Sequence, residues 1–278
     1  MIENEKQLAE RFRRYASFTT ETDPVPEFYG ENPSEEVDRL IDIHTDANTR
    51  FLDVGCGAGQ TVARVAPKVK EVWGIDIVPD LLDGTRQRVK EIGLTNVTLI
   101  EGNASLETCT DKIPNNHFDF AISRRGPDFN PLLIAKLTKN AVVIQERVGN
   151  FNLHPLGYIF GRMTYSPYNY DVQAVLLSKY AEIDLFPISI KEYFYEAFYR
   201  DIDHLEADLE KSPWSFSNWR VGEARPYEES RDRKALELFA HYNTTSRGIR
   251  ILEHRMIFVL RRAQISYYPV DGLRVNNG

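Results

Sequence analysis

Between residues 50 and 145 short apolar runs alternate with segments of helical period. The runs at 50–54, 71–75, 97–101, 118–122 and 140–145 have strand length, and 58–66, 79–92 and 129–137 read as helices, the second closed by Gly93 and Asn96. Apolar strands separated by helices predict a parallel sheet with right-handed crossovers. Upstream, residues 3–16 form an amphipathic pattern with Leu8, Phe12 and Tyr15 on one side. A Pro-bearing loop (Asp23-Pro24-Val25-Pro26) follows, and a helix starts at Pro33-Ser34-Glu35-Glu36 with Val37, Leu40, Ile41 and His44 on one face. Downstream of residue 146 the pattern loosens. The aromatic stretch 150–170 is expected over the carboxyl edge of the sheet, followed by a helix over 170–180 and a long strand over 183–195 made irregular by Pro187. Helical stretches at 201–209 and 228–242 flank a loop bearing Trp214 and Trp219. A last strand over 250–260 and a tail over 267–278 complete the chain.

Composition narrows this picture only at its borders. The chain has 278 residues, 42% hydrophobic and 27% charged, the values of an ordinary globule large enough for one domain with an insertion. A net charge of −7 argues against a surface built for duplex nucleic acid. Two cysteines, Cys56 and Cys109, imply no disulfide framework. No apolar run reaches the length of a membrane span, and the polar start of the chain does not read as a signal peptide, so a cytoplasmic protein is expected. No His/Cys/Glu cluster has metal-ligand spacing.

The chemistry is concentrated where the first strand of the alternation ends. Phe51-Leu52-Asp53-Val54-Gly55-Cys56-Gly57-Ala58-Gly59-Gln60 places three glycines at alternate positions after an acid. Glycine admits a left-handed backbone and close approach of a ligand. Asp76, ending the strand Val72-Trp73-Gly74-Ile75, stands where an acid holds a ribose. The glycine spacing differs from the dinucleotide fingerprint, because Gln60 replaces its third glycine. Asp53 would also repel a pyrophosphate. A cationic donor without phosphates suits the loop better, and S-adenosylmethionine (SAM) is one.

This segment resembles motif I of the class I SAM-dependent methyltransferases, D-x-G-x-G-x-G, with Asp53, Gly55, Gly57 and Gly59 in register and the likeness extending over roughly residues 35–145. The resemblance implies an α/β fold: a Rossmann-like, mostly parallel sheet of seven strands with helices on both faces and an antiparallel last strand. To this the sequence adds a helical insertion between the last two strands. The divisions expected are a lid helix and loop over 1–34, a core over 35–197, a helical cap over 198–247, and a final strand with tail over 248–278. In the cradle, Cys56 is a small filler, Asp53 faces the SAM ammonium or braces the loop, and Ile77 packs on the adenine. The resemblance further places Asn103 and Ala104 at the adenine edge. It puts Ser123 and Arg124 where the end of a strand faces the transferable methyl. Arg124 is a candidate anchor for an anionic acceptor, since a guanidinium matches a carboxylate. Tyr15 on the lid could reach the ligands, and His154 is a candidate base.

The reading is a SAM-dependent methyltransferase for a small molecule, possible oligomerisation through the 198–247 insertion, and no membrane or nucleic-acid partner. Its rivals are an RNA methyltransferase fed by Arg11, Arg13, Arg14, Arg231 and Arg233, a non-catalytic SAM-binding protein, and a dehydrogenase.

Overall fold

The computed structural model describes residues 5–16, 23–153, 156–159, 172–211, 217–218, 223–224 and 227–263. Helix α1 (Glu5–Ala16), strand β1 (Val25–Glu27) and helix α2 (Pro33–His44) come first. The alternation follows: β2 (Arg50–Val54), α3 (Gln60–Val65), β3 (Glu71–Asp76), α4 (Pro79–Glu91), β4 (Val97–Glu101), α5 (Glu107–Thr110), β5 (Phe118–Arg124), α6 (Pro131–Ile134) and β6 (Leu137–Val148). Then come α7 (Leu156–Ile159), α8 (Val172–Glu182), β7 (Leu185–Tyr199), α9 (Ile202–Lys211), the two-residue strands β8 (Ser217–Asn218) and β9 (Glu223–Ala224), α10 (Glu229–Asn243), β10 (Thr244–Thr245) and β11 (Gly248–Arg262).

The main sheet has the order β1-β7-β11-β6-β5-β2-β3-β4, with β10 added beside β11. Strands β6, β5, β2, β3 and β4 run parallel, while β11 lies antiparallel between β6 and β7. The expected seven strands are present in a sheet of nine. The extra ones are β10 and β1, and β1 forms in the segment read as a loop. Pro26 pairs opposite Ala197 there, and β1 is an edge strand, where proline's missing N–H costs little. The helix expected over 129–137 shrinks to Pro131–Ile134, because β6 already begins at Leu137. The irregularity expected at Pro187 is a register shift opposite Val259 and Leu260.

Strand β5 reads Phe-Asp-Phe-Ala-Ile-Ser-Arg with a nearly continuous buried run, as suits a strand covered on both faces. One face packs Leu52, Phe118, Val143 and Phe258 against Tyr180 of α8. The other packs Phe51, Phe120 and Ile144 against Val37 and Ile41 of α2 and Val62 of α3. A third cluster joins Leu205 and Leu209 of α9 and Leu236 and Phe239 of α10 to Tyr199, Ile249 and Ile251. The insertion therefore grips the overhanging tips of β7 and β11, beyond the carboxyl end of β6. His154, Trp214 and Trp219 lie outside the described residues, as does the side chain of Tyr15.

Candidate active site

The cradle is built from backbone. Gly55, Gly57 and Gly59 have φ of 79°, 55° and 76°, all left-handed. The space around the three glycines differs. A Cβ on Gly59 would lie 2.5 Å from Thr85 Cγ2, and one on Gly55 would lie 3.0 Å from Pro127 Cδ. A Cβ on Gly57 would meet nothing within 4 Å, so the loop is open to a ligand at this point. The N–H groups of Gly55 and Cys56 both donate to the Ile75 carbonyl, at 2.8 and 2.9 Å. Thr85 Oγ1 donates to the Gly57 carbonyl at 2.9 Å, clamping the loop from α4.

Two carboxylates close the cradle. Asp76 accepts from Gly57 N–H at 2.8 Å through Oδ2 and from Val78 N–H at 2.9 Å through Oδ1. Burial raises its pKa, opposed by these backbone donors. Each oxygen keeps a second lone pair. Asp53 is only 2% exposed, and its Oδ2 has no hydrogen-bond partner among the described residues. Burial raises its pKa to about 7; Arg124 opposes the rise and Asp76 adds to it. A buried carboxylate without a donor is costly unless a ligand supplies one.

A family model described as "Methyltransferase domain" matches residues 45–159. The aklanonic acid methyltransferase DauC of Streptomyces sp. (strain C5) is 32% identical over 112 residues, covering 39% of this chain and 49% of that protein. Residues 45–159 form a class I SAM-dependent methyltransferase domain. The chain spans about half the length of that curated relative. Solved structures agree on the fold. A functionally unknown protein from Deinococcus radiodurans R1 gives a TM-score of 0.60 at 17% identity, covering 91% of this chain and 99% of that one. A SAM-dependent methyltransferase from Thiobacillus denitrificans in complex with S-adenosyl-L-homocysteine gives 0.51 at 14% identity, covering 90% and 96%.

The methyltransferase domain fits its cofactor on the chain's own chemistry. The open face at Gly57, the acid Asp76 with lone pairs to spare and Asp53 Oδ2, unpartnered among the described residues, suit an adenosyl group carrying a positive charge. Ile77 is half-buried beside Asp76. Cys56 is buried, and a Cβ on Gly74 would lie 3.0 Å from its Sγ, so it fills the space beneath the loop. Its thiol pKa is raised by burial and the nearby acids. Asn103 is half-buried, and its Oδ1 accepts from Ser105 N–H at 2.9 Å, so the turn already uses one lone pair. Ala104 is buried, and its carbonyl accepts from Asn130 Nδ2 at 3.3 Å.

At the other end of the domain's site two expectations change. Ser123 is wholly buried, and its Oγ donates to the Pro127 carbonyl at 2.8 Å. It braces the loop from below, with no surface to offer a ligand. Arg124 is engaged: Nε donates to Glu146 at 3.3 Å and Nη1 to Asp38 at 3.4 Å. The sequence reading missed Thr85 and Asp38, which act through tertiary contacts and belong to no motif. It also missed a latch on α1, in which Arg13 donates to both oxygens of Asp80 at 2.7 and 2.8 Å. That latch holds α1 beside the start of α4, four residues past Asp76.

Proposed function

We propose that this chain transfers a methyl group from SAM to a small-molecule acceptor. The observation that carries the reading is Asp53: a buried, unpartnered carboxylate at the end of β2, beside an open glycine loop and the ribose acid Asp76. Asp76, with Ile77 and Asn103, would hold the adenosine, and Asp53 would receive the ammonium. SAM supplies a methyl already activated on sulfur, so the protein's task is alignment of the acceptor and exclusion of water. The tips of β5, β6, β11 and β7 would form the acceptor side, with residues 198–247, whose helices α9 and α10 pack on the tips of β7 and β11, as its cap.

Small molecules suit this site better than nucleic acid. Three of the arginines that a basic groove would need are matched by acids: Arg13 by Asp80, Arg231 by Asp232, and Arg233 by Asp203 and Glu206. One relative is named for an acid, aklanonic acid, and another for demethylmenaquinone, which supports the same class. No described helix is long and apolar enough to cross a membrane. A cytoplasmic location and association through the insertion complete the reading.

Calorimetry with SAM and S-adenosylhomocysteine tests it. The wild-type protein should bind both, and Asp76→Ala should weaken binding at least 100-fold while circular dichroism stays native. Unchanged affinity in the variant would remove the ribose assignment.

A further inference from the structure

We infer that Arg125, the residue just past β5, anchors a carboxylate of the methyl acceptor, so that the acceptor class is flat, carboxylate-bearing molecules. The inference rests on the methyl-transfer reading and gives it a substrate class. Arg124 is committed to Asp38 and Glu146. Arg125 is different. Its nearest acid contact is Glu146 Oε1 at 3.8 Å, beyond hydrogen-bond length, and its side chain is 53% exposed. Its guanidinium makes no side-chain hydrogen bond among the described residues, which leaves a planar fork of donors unspent.

The backbone holds Arg125 in place at a cost. Its φ is +57°, a left-handed conformation that a long side chain rarely adopts. Such strain persists where the surroundings over-determine it, and it concentrates at ligand sites. Here Arg125 N–H donates to the Glu146 carbonyl at 3.1 Å, Ser123 Oγ holds Pro127, and Arg147 Nη1 donates to the Gly126 carbonyl at 3.2 Å. Gly126 is pressed so close that a Cβ would lie 2.6 Å from the Val54 carbonyl and 3.4 Å from Gly55 Cα. The turn that carries Arg125 therefore rests directly on the glycine loop.

The neighbours beyond Arg125 are polar and aromatic. Glu253 stands opposite Tyr195 across β11 and β7, and Arg255 opposite Tyr193. Glu253 is matched by Arg255 at 2.7 Å. The Tyr195 hydroxyl feels the charges of Arg255, Glu253, Arg125 and Glu146, and its ring lies 4.8 Å from that of Phe28. A flat apolar body against this pair, with its carboxylate on Arg125, satisfies a guanidinium that has no hydrogen-bonded acid among the described residues.

The test titrates S-adenosylhomocysteine-saturated protein with benzoate, salicylate and phenylacetate, and with the corresponding amides, by calorimetry. Wild type should prefer the acids by about tenfold or more. Arg125→Gly suits the left-handed backbone, keeps the fold, and should abolish the preference. Arg125→Lys, a charge without a fork, should retain part of it. Affinity for S-adenosylhomocysteine should stay within twofold in both variants. Equal binding of acids and amides to wild type, or a preference that survives in Arg125→Gly, overturns the inference. A parallel loss of S-adenosylhomocysteine affinity would overturn it by assigning Arg125 to the cofactor. Wild-type protein that does not bind S-adenosylhomocysteine would instead overturn the cofactor reading, and this inference with it.

Discussion

The two halves of the site are made in different ways. The cofactor half is backbone: three left-handed glycines, the Ile75 carbonyl, and two acids at the ends of neighbouring strands β2 and β3. The proposed acceptor half is side chain: Asp38, Arg124, Glu146, Glu253 and Arg255 arrive from one helix and three strands and form ion pairs. Backbone cradles fix geometry and tolerate few side chains. Charged pairs fix specificity and can be re-lettered without moving the chain. The cofactor half should therefore respond to mutation by shape, and the acceptor half by charge.

The sharpest test of that difference lies within the glycine loop. Gly59→Val should cost about 3 kcal/mol or more, because its first carbon already collides with Thr85 and the backbone is left-handed. Gly57→Ala meets open space and pays only the left-handed penalty, about 1 kcal/mol. It should fold and yet lose cofactor affinity, because the added methyl occupies the ligand's side of the loop. Urea denaturation and SAM titration on the two variants separate these effects. If both unfold alike, the open face at Gly57 is not a binding surface.

On the acceptor half the comparison is Glu146 with Asp38, the two acids on Arg124. Glu146 has a side chain 5% exposed and lies near two arginines, whereas Asp38 is 37% exposed. Glu146→Gln removes the buried counter-charge of two partly exposed arginines and should cost about 1.5–2 kcal/mol. Asp38→Asn should cost less than about 1 kcal/mol, as for an exposed pair. Equal losses in thermal or urea unfolding would mean that the pairs have no buried member.

What the sequence revealed follows the same division. The glycine loop, Asp76 and the strand–helix alternation are contiguous, so their period and spacing were readable. So was the long excursion between the last two strands, which separates β7 from β11. Strand β1 was hidden because Pro24 and Pro26 read as a loop, and only pairing with the tip of β7 makes Val25–Glu27 a strand. Of the adjacent arginines, Arg124 was the one expected in the pocket. Its commitment to Asp38 was illegible because that partner lies 86 positions away on α2. Thr85 was illegible for the same reason, since nothing local marks a helical threonine as the clamp on a loop 28 positions earlier.

The effect that couples the halves is expected at Asp53. Its carboxyl is raised to about 7 in the folded chain, against about 4 when unfolded. Between those values the folded state holds a proton that the unfolded state has lost, so this group lowers stability as pH rises from about 4 to 7. Asp53→Asn removes that slope and should raise the stability of the ligand-free protein at pH 8 by about 1–2 kcal/mol relative to wild type, with little change at pH 4. The cofactor reverses the sign of the benefit. A cation seated beside Asp53 favours the carboxylate, so SAM should release a proton on binding near pH 6 and bind wild type more tightly as pH rises through 7. The variant should show neither. Calorimetry in buffers of different ionisation enthalpy reads the proton directly, and an Asp53→Asn protein that still releases it would place the linkage on Asp76, whose pKa is also raised by burial.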